Sequence, residues 1–342
     1  MYPHDYNAHI MDSMNNYTRL IFLTVILLCI YVFFHSSKTL TELRLYNKIL
    51  DAQKFLWQQL ANMGLSLDEN TDTYHSGFIG VEYSEVTTTM GSLPAKQCST
   101  DPLWGVQFVR WFGELGLTRG DRVLVSASSS FPGMVYSCLA ACESLGLEVD
   151  FLLSLGASTW GANRPELNFS GMLEILRRGG YVKTRPSMYT LGGTNENADG
   201  MDDEAKRLLQ GAVSDSDLVR GLTLDELVAR KSEHLASGVR VLVNIGGNAS
   251  SMGTDTMSLN LNPGIVYPSR KTDGGNGLVG NALRADIPVI HVLNLRGLAE
   301  NCGIDFTSRH RDFTRNRSIF GGILSLVTFT YFMITHKRWQ YE

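Results

Sequence analysis

Residues Arg122–Gly146 read RVLVSASSSFPGMVYSCLAACESLG. The run Arg122–Ala127 is apolar and β-branched, the pattern of a buried strand. Ser128, Ser129 and Ser130 follow, and then Pro132 and Gly133. The fixed φ of Pro132 suits the first turn of a helix. Met134, Leu139, Cys142 and Leu145 recur at helical spacing, and Gly146 closes the element. A helix that begins at a strand's end presents unpartnered N–H groups and the positive end of its dipole. Small hydroxyl side chains let a phosphate or carboxylate come close to them. The same serines also suit an ordinary N-cap. The turn has neither the lysine of a P-loop nor the spacing of a dinucleotide fingerprint.

Working outward, Leu147–Ser154 reads as the next strand, so strand, helix and strand form a βαβ unit with a right-handed, parallel crossover. Asp101–Leu117, with Pro102 at its start, reads as the preceding helix, and Gly77–Thr89 as an edge strand. The loop after the second strand, Leu155–Asn168, carries Gly156, Ser158, Gly161 and Asn163, and its Trp160 either walls a pocket or packs over the sheet. Phe169–Arg178 is a helix and Tyr181–Pro186 a short strand. A glycine-rich loop and two helices follow; the second, Thr223–Ala236, opens with a capping box of Thr223 and Glu226. Gly238–Ile245 is a third buried strand, ending in Gly246, Gly247 and Asn248, and Ile287–Asn294 is a further strand containing His291.

This order predicts an α/β fold: a Rossmann-like, mostly parallel sheet with helices on both faces, over 77–312, with a helical insertion around 187–237. Ligands in open α/β sheets bind beyond the carboxyl ends of the strands. The predicted ligand-binding residues are Ser126, Ser128, Ser129, Ser130 and Gly133 after the first strand. Gly156, Ser158, Trp160 and Asn163 follow the second, and Gly246, Gly247 and Asn248 the third. Arg164, Lys183 and Arg185 are candidate partners for a carboxylate. A competing reading is a hydrolase or amide transferase in which Ser130 or Ser158 attacks and His291 is the base, although no Gly-x-Ser-x-Gly elbow surrounds either serine.

A net charge of −4 over 342 residues gives no basic bias toward nucleic acid. The five cysteines lack Cys-x-x-Cys spacing and read as small buried residues, not as metal ligands or disulfides. No metal and no cofactor are expected.

Two apolar segments flank the body. Leu20–Phe34 and Ile319–Ile334 are uncharged and close to the roughly 20 residues that cross a bilayer. They predict two transmembrane helices in an inner or plasma membrane: 1–38 is a tail and first span, 39–76 a juxtamembrane helix and loop, and 313–342 the second span and tail. Lys38, Arg44, Lys48, Arg309, Arg311, Arg315 and Arg317 on the body side place the body in the cytoplasm by the positive-inside rule.

The runs SASSSFPGMVYSCLAACESLGLEV, LGASTWGANRPELNFSGMLEIL and VLVNIGG, the last followed by Ser250 and Ser251, resemble the poly-gamma-glutamate system protein family. The chain departs from that family's Ser-Gly-Ser-Phe-Pro type run at Ala127 and Ser128. The resemblance implies a membrane-attached accessory component of poly-γ-glutamate synthesis and export, a bacterial capsule or exopolymer system. It implies the polymer synthetase subunits and glutamate or γ-glutamyl polymer as partners, and it carries over no catalytic residues.

Overall fold

Strand β1 (Arg122–Ser128) lies inside a six-stranded sheet, between β2 (Glu148–Ser154) and β6 (Val239–Ile245). Both pairings are parallel, with Val125 opposite Phe151 on one side and Val243 on the other. Beyond β2 lies the parallel β5 (Met188–Thr190); beyond β6 lie the parallel β8 (Val289–Val292) and then the antiparallel β7 (Gly264–Val266). A separate two-stranded pair joins β3 (Asn163–Arg164) to β4 (Leu167–Asn168). This computed structural model describes residues 21, 23–27, 40–211, 213–214, 216–236, 238–255, 257–307, 324 and 326–330. Arg44–Arg311 make one unit, and Met1–Leu43 with Asp312–Glu342 make another.

The chain is mixed α/β, and both faces of its mostly parallel sheet are buried. Val123, Val125 and Ala127 of β1 join a core layer with Leu56 of α1 (Leu40–Asn62), Phe108 of α3 (Leu103–Glu114) and Leu139 of α4 (Pro132–Leu145). Leu124, Leu152 and Leu242 point the other way, onto Leu278, Val279 and Leu283 of α9 (Leu278–Arg284). A strand covered on both faces needs an unbroken apolar run, which is why 123–125 shows no polar alternation. Helix α4 closes on Gly146 at φ +69°, whose N–H donates to Cys142 and Glu143 carbonyls. Helix α2 (Leu93–Ser99) packs beside α4, and α5 (Phe169–Arg178) and α6 (Asp203–Gly211) add to the first layer. Helix α7 (Leu224–Ser232) begins with the Thr223–Glu226 capping box. Two short helices, α8 (Ala249–Met252) and α10 (Leu295–Cys302), follow β6 and β8.

Two expected strands do not form. Residues 77–89 run as turns and extended chain, joined to the second strand's loop by an isolated bridge, Thr87 to Ala157, and by scattered backbone bonds such as Trp160 N–H to the Val81 carbonyl. Asn163 takes the place of a ladder there: its side chain accepts from the Val81 N–H and donates to the Val81 carbonyl. Residues 181–186 are irregular because the Glu143 carboxylate accepts the N–H groups of Lys183 and Thr184. The sheet acquires its edge strand two residues later, at Met188–Thr190.

The two expected transmembrane helices, and with them the membrane location, are corrected. Among the described residues no helix is long and apolar enough to cross a membrane. Of Leu20–Phe34 only 21 and 23–27 are described, and of Ile319–Ile334 only 324 and 326–330; the rest of both segments lies outside the described residues. The long helix that is described, α1, carries Glu42, Arg44, Lys48, Asp51 and Lys54, charges that a bilayer interior rejects.

Candidate functional site

From β1 the chain crosses to β2 and β5 on one side, and later to β6 and β8 on the other. The loops after β1 and β6 therefore part company at the sheet's carboxyl edge, the position at which such sheets open a crevice. A cavity of about 230 Å³ lies there. Ser128 and Ser130 line it from the first loop, Gly156 and Ser158 from the second, and Gly247 and Asn248 from the third. Residues 88–92, ahead of α2, supply another wall, and Lys96 of α2 reaches in from the side.

Lys96 is the residue on which the chemistry turns. It is 1% exposed. Its Nζ donates to Ser158 Oγ at 2.7 Å and to the Ser130 carbonyl, and it lies 3.7 Å from the centre of the Phe131 ring. None of these contacts is a carboxylate. Burial of an ammonium with no counter-ion favours the neutral amine, and it lowers the Lys96 pKa from 10.5 to about 7. The two serines are tied to each other as well: the Ser158 N–H donates to Ser130 Oγ at 3.0 Å.

Two more polar groups of the lining stand ready. Ser128 Oγ and Asn248 Nδ2 are buried and have no hydrogen-bond partner among the described residues. Such groups are costly to leave unmade, so they mark places where a ligand atom completes the bond. Glycine keeps the site open at two points. A Cβ on Gly91 would come within 3.0 Å of Ser158 Oγ and 3.2 Å of Lys96 Cε. Gly246 holds φ +88°, and a Cβ there would lie 2.5 Å from Ser128 Oγ.

Glu196 also borders the cavity, but its charge is spent inside the protein. Lys231 Nζ donates to it at 2.6 Å, and both side chains are 1% exposed. Ser154 Oγ donates at 2.7 Å, Thr190 Oγ1 at 2.6 Å and the Ser250 N–H at 2.9 Å; the Ser250 hydroxyl donates too. Burial alone would raise the carboxyl's pKa; the Lys231 charge and these bonds outweigh it and hold it at about 2. Asn195, Glu196 and Ala198 all adopt positive φ, the contortion that turns this acid inward.

The remaining predicted residues serve the scaffold. Ser126 Oγ pairs with Ser251 Oγ at 3.0 Å, and Ser129 gives both its N–H and its hydroxyl to the Ser154 carbonyl. Gly133 lets α4 approach α2: a Cβ there would sit 3.1 Å from the Ser99 carbonyl oxygen. Trp160 is half-buried at φ +63° and lines no part of the cavity. Asn163 bonds to Val81 and Thr87. His291 is not in the lining either; it is buried beside Asn244, Nδ1 to Nδ2 3.3 Å, and burial lowers its pKa to about 4. Arg164, Lys183 and Arg185 also fall outside the lining, the last 3.9 Å from Glu174. Comparison of the chain with family models, with curated proteins and with solved structures gave no match.

Lys96, Glu196 and residues 88–92 escaped the sequence reading. Lys96 sits in LPAKQCS, a seven-residue helix too short to display a hydrophobic period. Glu196 sits in a loop of Gly, Thr and Asn that looks solvated.

Proposed function

We propose that the body binds a small carboxylate, with glutamate or the end of a γ-glutamyl chain as the first candidates, as an accessory component of a γ-glutamyl polymer system. One observation carries the reading. Among the described residues lining the cavity, Lys96 holds the one positive side chain not already paired with an acid. The Ser128 and Asn248 groups, unpartnered among the described residues, support it. The choice of γ-glutamyl compounds among carboxylates rests on the resemblance of the three loop sequences.

Calorimetry on the full chain with glutamate, γ-glutamyl dipeptide and longer γ-glutamyl oligomers tests it. An anion beside Lys96 stabilises the ammonium, so binding at pH 8.5 takes up about one proton, and affinity falls as pH rises above about 7. Lys96→Met weakens binding at least ~10-fold, the loss of one charge-assisted bond. Absence of binding by all three compounds, or equal affinity in the variant, refutes the reading.

A further inference from the structure

An amine that is buried, free of acidic partners and 2.7 Å from a serine hydroxyl is more than an anion holder. That separation is the one a nucleophile and its base require. Two contacts, the Ser130 carbonyl and the Phe131 ring, fix where Nζ sits. Ser158 itself is 6% exposed, yet it borders the cavity. We propose that Ser158 is the nucleophile and Lys96 the general base of an acyl-transfer site, acting on an amide or ester whose acyl group enters this cavity. The inference rests on the carboxylate reading above: the carboxylate held by Lys96 is the acid product.

The steps balance with water as the sole co-reactant. Neutral Lys96 Nζ takes the proton of Ser158 Oγ as that oxygen bonds to the carbonyl carbon. The carbonyl oxygen becomes an oxyanion, for which Ser128 Oγ–H and Asn248 Nδ2–H, unpartnered in the same cavity, are the available donors. The tetrahedral centre collapses, the bond to the leaving nitrogen or oxygen breaks, and Lys96 returns the proton to that atom. Water then loses a proton to Lys96 and attacks the Ser158 ester. The carboxylic acid leaves, Oγ regains its proton, and the acid ionises against the lysine. Burial brings Lys96 to about 7, so a large share of the amine is neutral at neutral pH, as a base requires. Backbone strain accompanies the pair: Trp160, two residues past Ser158, holds φ +63°, where bulky side chains are disfavoured.

A fluorophosphonate probe on the full chain tests this. Ser158 Oγ bonds to phosphorus, the P–F bond breaks, fluoride leaves and Lys96 takes the proton. Mass spectrometry should find one adduct, on the peptide holding Ser158. Its rate should rise with pH to a plateau, with a midpoint near 7. It should vanish in Ser158→Ala, fall ~100-fold or more in Lys96→Met, and be unchanged in Ser170→Ala. The wild-type pH profile needs no variant to fold, so it decides the matter if Lys96→Met is misfolded. No adduct on Ser158, a flat profile from pH 5 to 9, or unchanged labelling in folded Lys96→Met overturns the proposal. Calorimetry with γ-glutamyl dipeptide on the same sample separates the two ideas. Binding without an adduct leaves a binding protein; an adduct without binding leaves an acyl-transfer site for another acyl group.

Discussion

Lys96→Met should make the protein more tolerant of acid, with a pH signature that can be worked out from the burial of one amine. In the unfolded chain Lys96 titrates near 10.5; in the folded protein it titrates at about 7. Each unit between these values is worth about 1.4 kcal/mol. Below pH 7 the amine is protonated in both states, and the folded state bears the whole cost of a buried ammonium, roughly 5 kcal/mol at most. Above pH 7 the folded amine loses its proton while the unfolded one keeps it, and the cost shrinks until pH 10.5. Between pH 6 and pH 9 the wild type should therefore gain about 3 kcal/mol on Lys96→Met, whose thioether chain is uncharged throughout. Urea denaturation of both proteins at pH 6, 7, 8 and 9 measures it. At pH 6 the variant should be the more stable, since removing a buried unpaired charge outweighs two lost hydrogen bonds. A stability difference that stays constant across this range would show that Lys96 keeps its ordinary pKa, and would remove the neutral base along with it.

Three other outcomes follow from the same packing. The Glu196 carboxyl, held at about 2 against an ordinary 4.5, contributes stability that is complete above pH 4.5 and drains away as pH falls toward 2. Glu196→Gln should cost about 3 kcal/mol at pH 7, and the gap to wild type should narrow by about 2 kcal/mol at pH 3, as read by denaturation at both values. Gly246→Ala should cost roughly 1–2 kcal/mol through its φ of +88°, and should push Ser128 aside enough to weaken ligand binding in calorimetry. Thr223→Ala removes a capping box at α7 and should cost about 1 kcal/mol in thermal unfolding while leaving ligand affinity unchanged, since α7 lends the cavity no residue.

The parts of the fold that could be read from sequence are those with a short-range cause. Arg122–Gly146 declares its strand and helix because burial on both faces demands an apolar run, and Pro132 and Gly146 punctuate the helix. The loops after β1, β2 and β6 were legible as one rim because parallel strands end on one side. Individual roles within those loops were not legible. Ser128 and Ser129 are neighbours of the same type, yet one faces the cavity while the other is bonded to Ser154. Only the alternation of side chains at the strand's end separates them, and that depends on register. His291 is the opposite case: a titratable residue is visible in the sequence, but β8 sets it beside Asn244, outside the lining that Ser130 and Ser158 share. The base that is present, Lys96, comes from a helix 62 residues earlier in the chain than its serine. The apolar terminal segments lie near the spanning threshold in length, where hydropathy alone does not decide a membrane span, and among the described residues no helix is long and apolar enough to cross one.

Sheet order has a consequence for how the protein is made. Ser126 and Ser251, which touch beneath the cavity, are 125 residues apart. The half of the sheet built from β1, β2 and β5 leaves the ribosome with one long edge of β1 bare, since its neighbour there is β6. Closing so large a loop is slow, and an uncovered apolar strand invites pairing with other chains meanwhile. A nascent chain halted before Val239 would already carry both Lys96 and Ser158, but neither Asn248 nor the wall it belongs to. Synthesis of the last third of the body thus acts as the gate on when the site comes into existence.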